Sequence, residues 1–325
     1  GGPMYYVKNG LGKHWQWVGV LFCVFAAIAS FGIGNMSQVN SIVGSLNDAI
    51  DAFIPAAEGE RKLLNFVFGV VIAALIGVIL FGGIKRIGAV AEKLVPVMSV
   101  LYIIFALVVI FGHAGNIGPA FGKIFATAFT PKALGGAASG IALKQTIVWG
   151  LRRSAFSNEA GLGTAPMAHA AATSASPLVQ ASIGMLDTFI DTIIVCTMTG
   201  FAILVTGQWT SGLTGAAMTS AAFETSLPGI GGIAVTICLT FFAFTTALGW
   251  CVYGERSAIF LFGDRVLKPF RILYTIVVPI GALAQLDLVW ILADTFNALM
   301  AFPNLIGVLL LSPVVFKTVQ ESTRP

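Results

Sequence analysis

Apolar residues dominate this chain in long runs, and polar residues are confined to the short stretches between them. Eight runs are long enough, at about 20 residues each, to cross a bilayer as helices: 15–45, 63–84, 94–113, 143–171, 180–206, 230–262, 270–286 and 288–316. No run alternates apolar and polar residues in the manner of a half-buried strand. The pattern therefore predicts an all-α, polytopic membrane protein with about eight transmembrane helices. Two runs are imperfect. The fourth contains the polar stretch "RRSAFSNEAGLGTAPMAHAA" (152–171), and the seventh is short and carries Pro279. A break in a membrane helix frees backbone groups that must find partners in protein, water or a ligand. Between the third and fourth runs, Ile117, Phe121, Ile124 and Phe125 fall on one helical face, which predicts an interfacial helix within 114–142.

Composition agrees, with 57% of residues hydrophobic and 10% charged, against about 25% charged in an average soluble domain. Lysine and arginine form no basic stripe, so the net charge of +4 does not point to nucleic acid. They read instead as topology signals. With the amino end in the cytoplasm, thirteen of the 18 lysines and arginines fall on the inner side, and eight crossings return the carboxyl end there too. Cys23, Cys196, Cys238 and Cys251 lie within apolar runs without metal-site spacing and read as packing residues. His14, His113 and His169 are far apart, with no nucleophile–base pair or ligand spacing, so an enzyme is not expected. The chain opens Gly-Gly-Pro with neither a start methionine nor a signal-peptide pattern, which reads as a chain whose upstream part is absent.

Polar side chains within the runs are the candidates for function, because burial in lipid is costly. Asp187 and Asp191, four apart, could hold a cation or a proton, or simply bridge helices. Asp294 and Asn297 form a similar pair ahead of Pro303 and Asn304, where a kink is expected. Glu255 and Arg256 read as a cytoplasmic ion pair or gate near an inner helix end. In "FAFTTALGWCVYGE", Thr245, Thr246 and Trp250 put two hydroxyls and an indole within about a turn. Oxygen ligands suit an alkali cation, while the plainer alternative has the threonines bonding to their own helix. Gly32, Gly34, Asn35 and Gln38 open space beside amides, and "TIVWGLRRSAFSNEAGLG" reads as a discontinuous helix, an apolar half-helix running through Gly150 into a polar segment that re-enters helix at "TAPMAHAAA". Arg152, Arg153, Asn158 and Glu159 are expected to anchor, cap or gate, with substrate contacts earlier, at 147–150.

Six segments, "GGPMYYVKNGLGK", "FGIGNMSQVNS", "FSNEAGLGTAPMAHAAA", "FIDTIIVCT", "FAFTTALGWCVYGE" and "DTFNALMAFPNLI", resemble the alanine or glycine:cation symporter family, in family order along the whole chain. The resemblance implies the inverted-repeat fold of the leucine transporter. It would be incomplete at the amino end, because the family carries further helices, one of them glycine-rich and unwound, ahead of Gly-Gly-Pro. Residues 1–113 would be the last three helices of the first repeat, 114–142 the interfacial segment, 143–316 the second repeat and 317–325 a cytoplasmic tail. It implies substrate contacts from Gln38, Ile147, Val148, Gly150, Thr246 and Trp250, and cation contacts from Thr245 and Thr246. The activity implied is symport of alanine or glycine with Na+ or H+ by alternating access in the cell membrane. No cofactor is implied, and no metal beyond the coupling cation. A channel is the alternative, but it would want a continuous polar stripe. Oligomeric state stays open.

Overall fold

The computed structural model describes residues 1–51, 58–128, 137–174 and 176–322, with no β-strand among them. Helix α1 (Pro3–Gly10) leads into α2 (Gln16–Phe31), which passes through a π-helical turn (Gly32–Met36) into α3 (Ser37–Asp51) as one long rod. Then follow α4 (Glu58–Leu80), α5 (Gly83–Gly112), α6 (Ile117–Ala128), α7 (Ala137–Asn158) and the short α8 (Ala165–His169). Helix α9 (Pro177–Phe189) continues through a second π-helical segment (Ile190–Cys196) into α10 (Thr197–Val205). The chain ends with α11 (Gly215–Glu224), α12 (Gly231–Phe262), α13 (Leu267–Leu283) and α14 (Leu286–Ser322).

Seven helices among the described residues are long and apolar enough to cross a membrane: Lys13–Asp51, Gly59–Leu80, Gly83–Gly112, Pro177–Val205, Gly231–Phe262, Asp264–Leu283 and Leu288–Ser322. They correspond to seven of the eight expected runs. The remaining run, 143–171, is helical to Asn158 but too polar to qualify, because it carries Lys144, Gln145, Arg152, Arg153 and Asn158. Outward faces carry large apolar side chains, with Val78, Phe111, Ile291 and Leu309 all more than half exposed. Such surface is at home in lipid rather than water.

Helix α12 forms the centre, packed against α2, α3, α5 and α11, while α13 lies on α4 and α14 on α2. Close approaches depend on glycine. A Cβ on Gly281 would come within 2.7 Å of Met36 Cα, so α13 can lie against the first π turn only because that position is bare. The turn is further pinned by Asn35, whose side-chain amide donates to the Tyr274 carbonyl at 2.7 Å.

Several expectations change. Pro279 sits inside a continuous helix instead of interrupting it. Glu255 pairs with Arg271, not Arg256, by two bonds of 2.8 and 3.2 Å, in a buried clasp between α12 and α13. Its desolvation demands that both charges stay paired. The expected amphipathic helix spans 117–128, residues 129–136 lie outside the described residues, and 137–142 already belong to α7. The expected tail is helical as far as Ser322.

Candidate functional site: two adjoining cavities

Helix α7 runs without interruption past Gly150 and ends at Asn158. The break comes later, over residues 159–164, where Glu159, Gly161 and Gly163 all take positive φ (55, 85 and 91°). Glu159 is the one non-glycine residue that does so among the described residues. Its neighbours hold the break in place. Asn158 Oδ1 accepts from the Ala160 amide at 2.9 Å, Asn304 donates to the Gly161 carbonyl at 2.7 Å, and the Tyr6 hydroxyl donates to Asn304 in turn. A Cβ on Gly163 would press on Pro3 at 2.6 Å and Phe22 at 2.8 Å.

Beside this break lies a cavity of about 460 Å³, lined by Glu159, Asp187, Asp191, Thr245, Thr246, Trp250 and Tyr253 among others. Trp250 is 2% exposed and donates its indole N–H to Glu159 Oε1 at 2.7 Å. Its ring meets Tyr253 edge to face at 5.6 Å. On its other side a Cβ at Gly34 would overlap Trp250 Cβ and Cγ, so the glycine of the π turn makes room for the indole. Thr245 donates to the carbonyls of Phe241 and Phe242 at 2.9 and 3.0 Å, and Thr246 to Phe242 at 2.8 Å. The protons of both hydroxyls are thus committed to their own helix, and lone pairs remain, which is the half of the hydroxyl that a cation uses.

A second cavity, of about 550 Å³, is lined by Ser37, Gln38, Asn40, Tyr102, Cys196, Thr199 and Trp290 among others. Ser157, Asp191, Val195 and Phe242 line both. The partition is polar at its centre. Ser157 Oγ lies 2.9 and 2.8 Å from the two Asp191 oxygens and donates to that carboxylate, and Thr192 adds a bond of 3.1 Å. Gln38 donates to the Ile33 carbonyl at 3.1 Å, one of the groups that the π turn withdraws from the regular helical ladder. Besides Glu159, whose oxygen is taken by the Trp250 indole, the described lining of the first cavity carries the carboxylates of Asp187 and Asp191, one histidine, His169, and no lysine or arginine, a charge balance that attracts a cation.

The sequence-derived residues therefore divide. Thr245, Thr246 and Trp250 line one cavity and Gln38 the other. Ile147, Val148 and Gly150 lie two to three turns before Ser157 on α7 and line neither; Ile147 is 53% exposed. Arg153 meets both oxygens of Asp294 at 2.6 Å and lies over the Trp290 ring at 4.6 Å. Cys196, expected to be packing, is exposed and 3.3 Å from Ser157 Oγ.

The model of the sodium:alanine symporter family matches residues 1–324. The chain belongs to that family. It is 45% identical over 323 residues to a protein of Methanococcus maripaludis named sodium/alanine symporter AgcS, covering 97% of this chain and 67% of the relative. It is 43% identical to an uncharacterized transporter of Haemophilus influenzae, covering 99% of this chain and 68% of the relative. A probable sodium/glutamine symporter, GlnT of Bacillus subtilis, is 37% identical, covering 100% and 65%. The chain thus spans about two thirds of the length of these relatives. For a member of this family, the residue that sequence reasoning underrated is Glu159. It reads as a helix cap, and its indole partner is 91 positions away.

Proposed function

We propose that the protein is a secondary transporter that couples movement of a small neutral amino acid, alanine or glycine, to Na+, with H+ as the other candidate ion. One observation carries the reading: a single cavity sets an indole wall, two threonine oxygens and the carboxylates of Asp187 and Asp191 around a space with no lysine or arginine in its described lining. Family membership supports it. In this reading Trp250 and Thr246 bound the substrate, Gln38 reaches it from the adjoining cavity, and Thr245 and Thr246 give oxygens to the cation. Ile147, Val148 and Gly150 are assigned to the substrate on the resemblance alone. The buried indole favours alanine or glycine over the glutamine that names one relative. Alternating access would move α7 and α12 relative to each other around the shared Ser157–Asp191 partition.

Uptake of labelled alanine, glycine and glutamine by the full-length protein in proteoliposomes tests this. Alanine or glycine should accumulate against its own gradient when sodium is higher outside, and not without that gradient. Accumulation driven by protons alone would change the ion, and flux without accumulation would return the reading to a channel.

A further inference from the structure

We propose that Glu159 is a positioning residue for Trp250, and that through it the anchored break at 159–164 sets which side chains the cavity accepts. The inference rests on the transport reading above. An indole has one polar atom, a donor, and in Trp250 that donor is spent on Glu159. Side-chain torsion about the ring axis is broad and roughly two-fold for tryptophan, so a buried ring needs something to choose its orientation. The Gly34 backbone limits the approach on one side and Tyr253 meets the ring edge to face. Glu159 alone holds the N–H.

Glu159 in turn is not free to drift. A positive φ is unfavourable for a residue with a Cβ and persists only where the surroundings impose it. Here its carbonyl accepts from the Leu162 amide at 3.1 Å, Asn158 caps Ala160, and the Gly161 carbonyl is tied through Asn304 to Tyr6. The carboxylate that aims the indole therefore stands on a fixed loop. The cavity wall formed by Trp250 is set by α1, α14 and the break together, although none of these supplies the indole.

The test uses the full-length protein with four variants: Glu159→Gly, Glu159→Gln, Trp250→Phe and Glu159→Gly with Trp250→Phe. Glycine keeps the positive φ without strain while deleting the acceptor, and glutamine keeps an accepting oxygen. Glu159→Gly should raise the KM for alanine on the order of tenfold, the scale of one lost buried hydrogen bond. It should also improve larger neutral amino acids relative to alanine. Glu159→Gln should restore most of the loss. Trp250→Phe should resemble Glu159→Gly, and the double variant should be no worse than either.

The bond itself is read without transport. The indole ¹H–¹⁵N signal that disappears in Trp250→Phe should move in Glu159→Gly and stay in place in Glu159→Gln. If the wild-type protein carries no amino acid, the transport reading fails, and this signal still judges the bond. An indole signal unmoved by Glu159→Gly overturns the proposal. So does a Glu159→Gln variant as impaired as Glu159→Gly, because the carboxylate would then act by its charge.

Discussion

In the proposed reading Trp250 bears on the substrate, Thr245 on the ion and Thr246 on both, and single substitutions test the division. Trp250→Ala removes the indole wall, so alanine uptake should weaken while larger neutral amino acids gain relative to it. Extra room for a few methylenes is worth only about 1–3 kcal/mol, so competition assays across a substrate series should show a graded shift. An unchanged series would make the tryptophan a packing residue. Thr245→Val and Thr246→Val hold shape nearly constant and delete an oxygen each. At least one should raise the sodium concentration for half-maximal uptake and, by linkage, weaken alanine binding at fixed sodium. If neither does, Asp191 is the next candidate. These three residues were legible because helical spacing alone puts them on adjoining turns. Glu159 was not, because no periodicity announces a partner on another helix.

The break and the two π segments belong to the scale of elements, and here the sequence was only partly legible. A polar stretch inside an apolar run marked the interrupted helix and its re-entry at "TAPMAHAAA", but the first half runs on to Asn158, so the interruption is confined to 159–164. The signal lay in Glu159, Gly161 and Gly163, whose backbones turn left-handed, and Gly150 meets open space without any such turn. The π turns at 32–36 and 190–196 leave no trace in a hydrophobic period, since one extra residue per turn is absorbed by packing. Asn304 is the strut of the break. Asn304→Ala should cost about 1 kcal/mol locally, seen as severalfold faster amide exchange over 160–164, with exchange in α12 near Trp250 unchanged. Equal acceleration in both places would mean that the break has no stability of its own.

For the whole molecule, the hydrophobic pattern identified the membrane spans but left the status of α7 to the structure. Three of its polar residues face partners: Arg153 meets Asp294, Ser157 meets Asp191 and Asn158 meets Thr192. Spent on internal bonds, these three no longer bar a crossing; Lys144, Gln145 and Arg152 are exposed, and long basic side chains can reach toward the membrane surface, so α7 should be the eighth span despite its composition. That assignment fixes the parity of everything after it. Reporters fused at 113–116 and 207–225 should read outside, and those at 85–93, 170–174 and 263–271 inside. If α7 does not cross, every site after 158 reports the opposite side, and the two ends of the chain lie on different faces of the membrane.

Gly34 meets Trp250 so closely that a side chain at 34 would overlap the Trp250 Cβ itself, an atom that every residue but glycine carries. Over evolutionary time that makes the two positions unequal heirs. In a deep alignment of relatives, position 250 should be free to exchange its indole for other side chains, while position 34 stays glycine throughout.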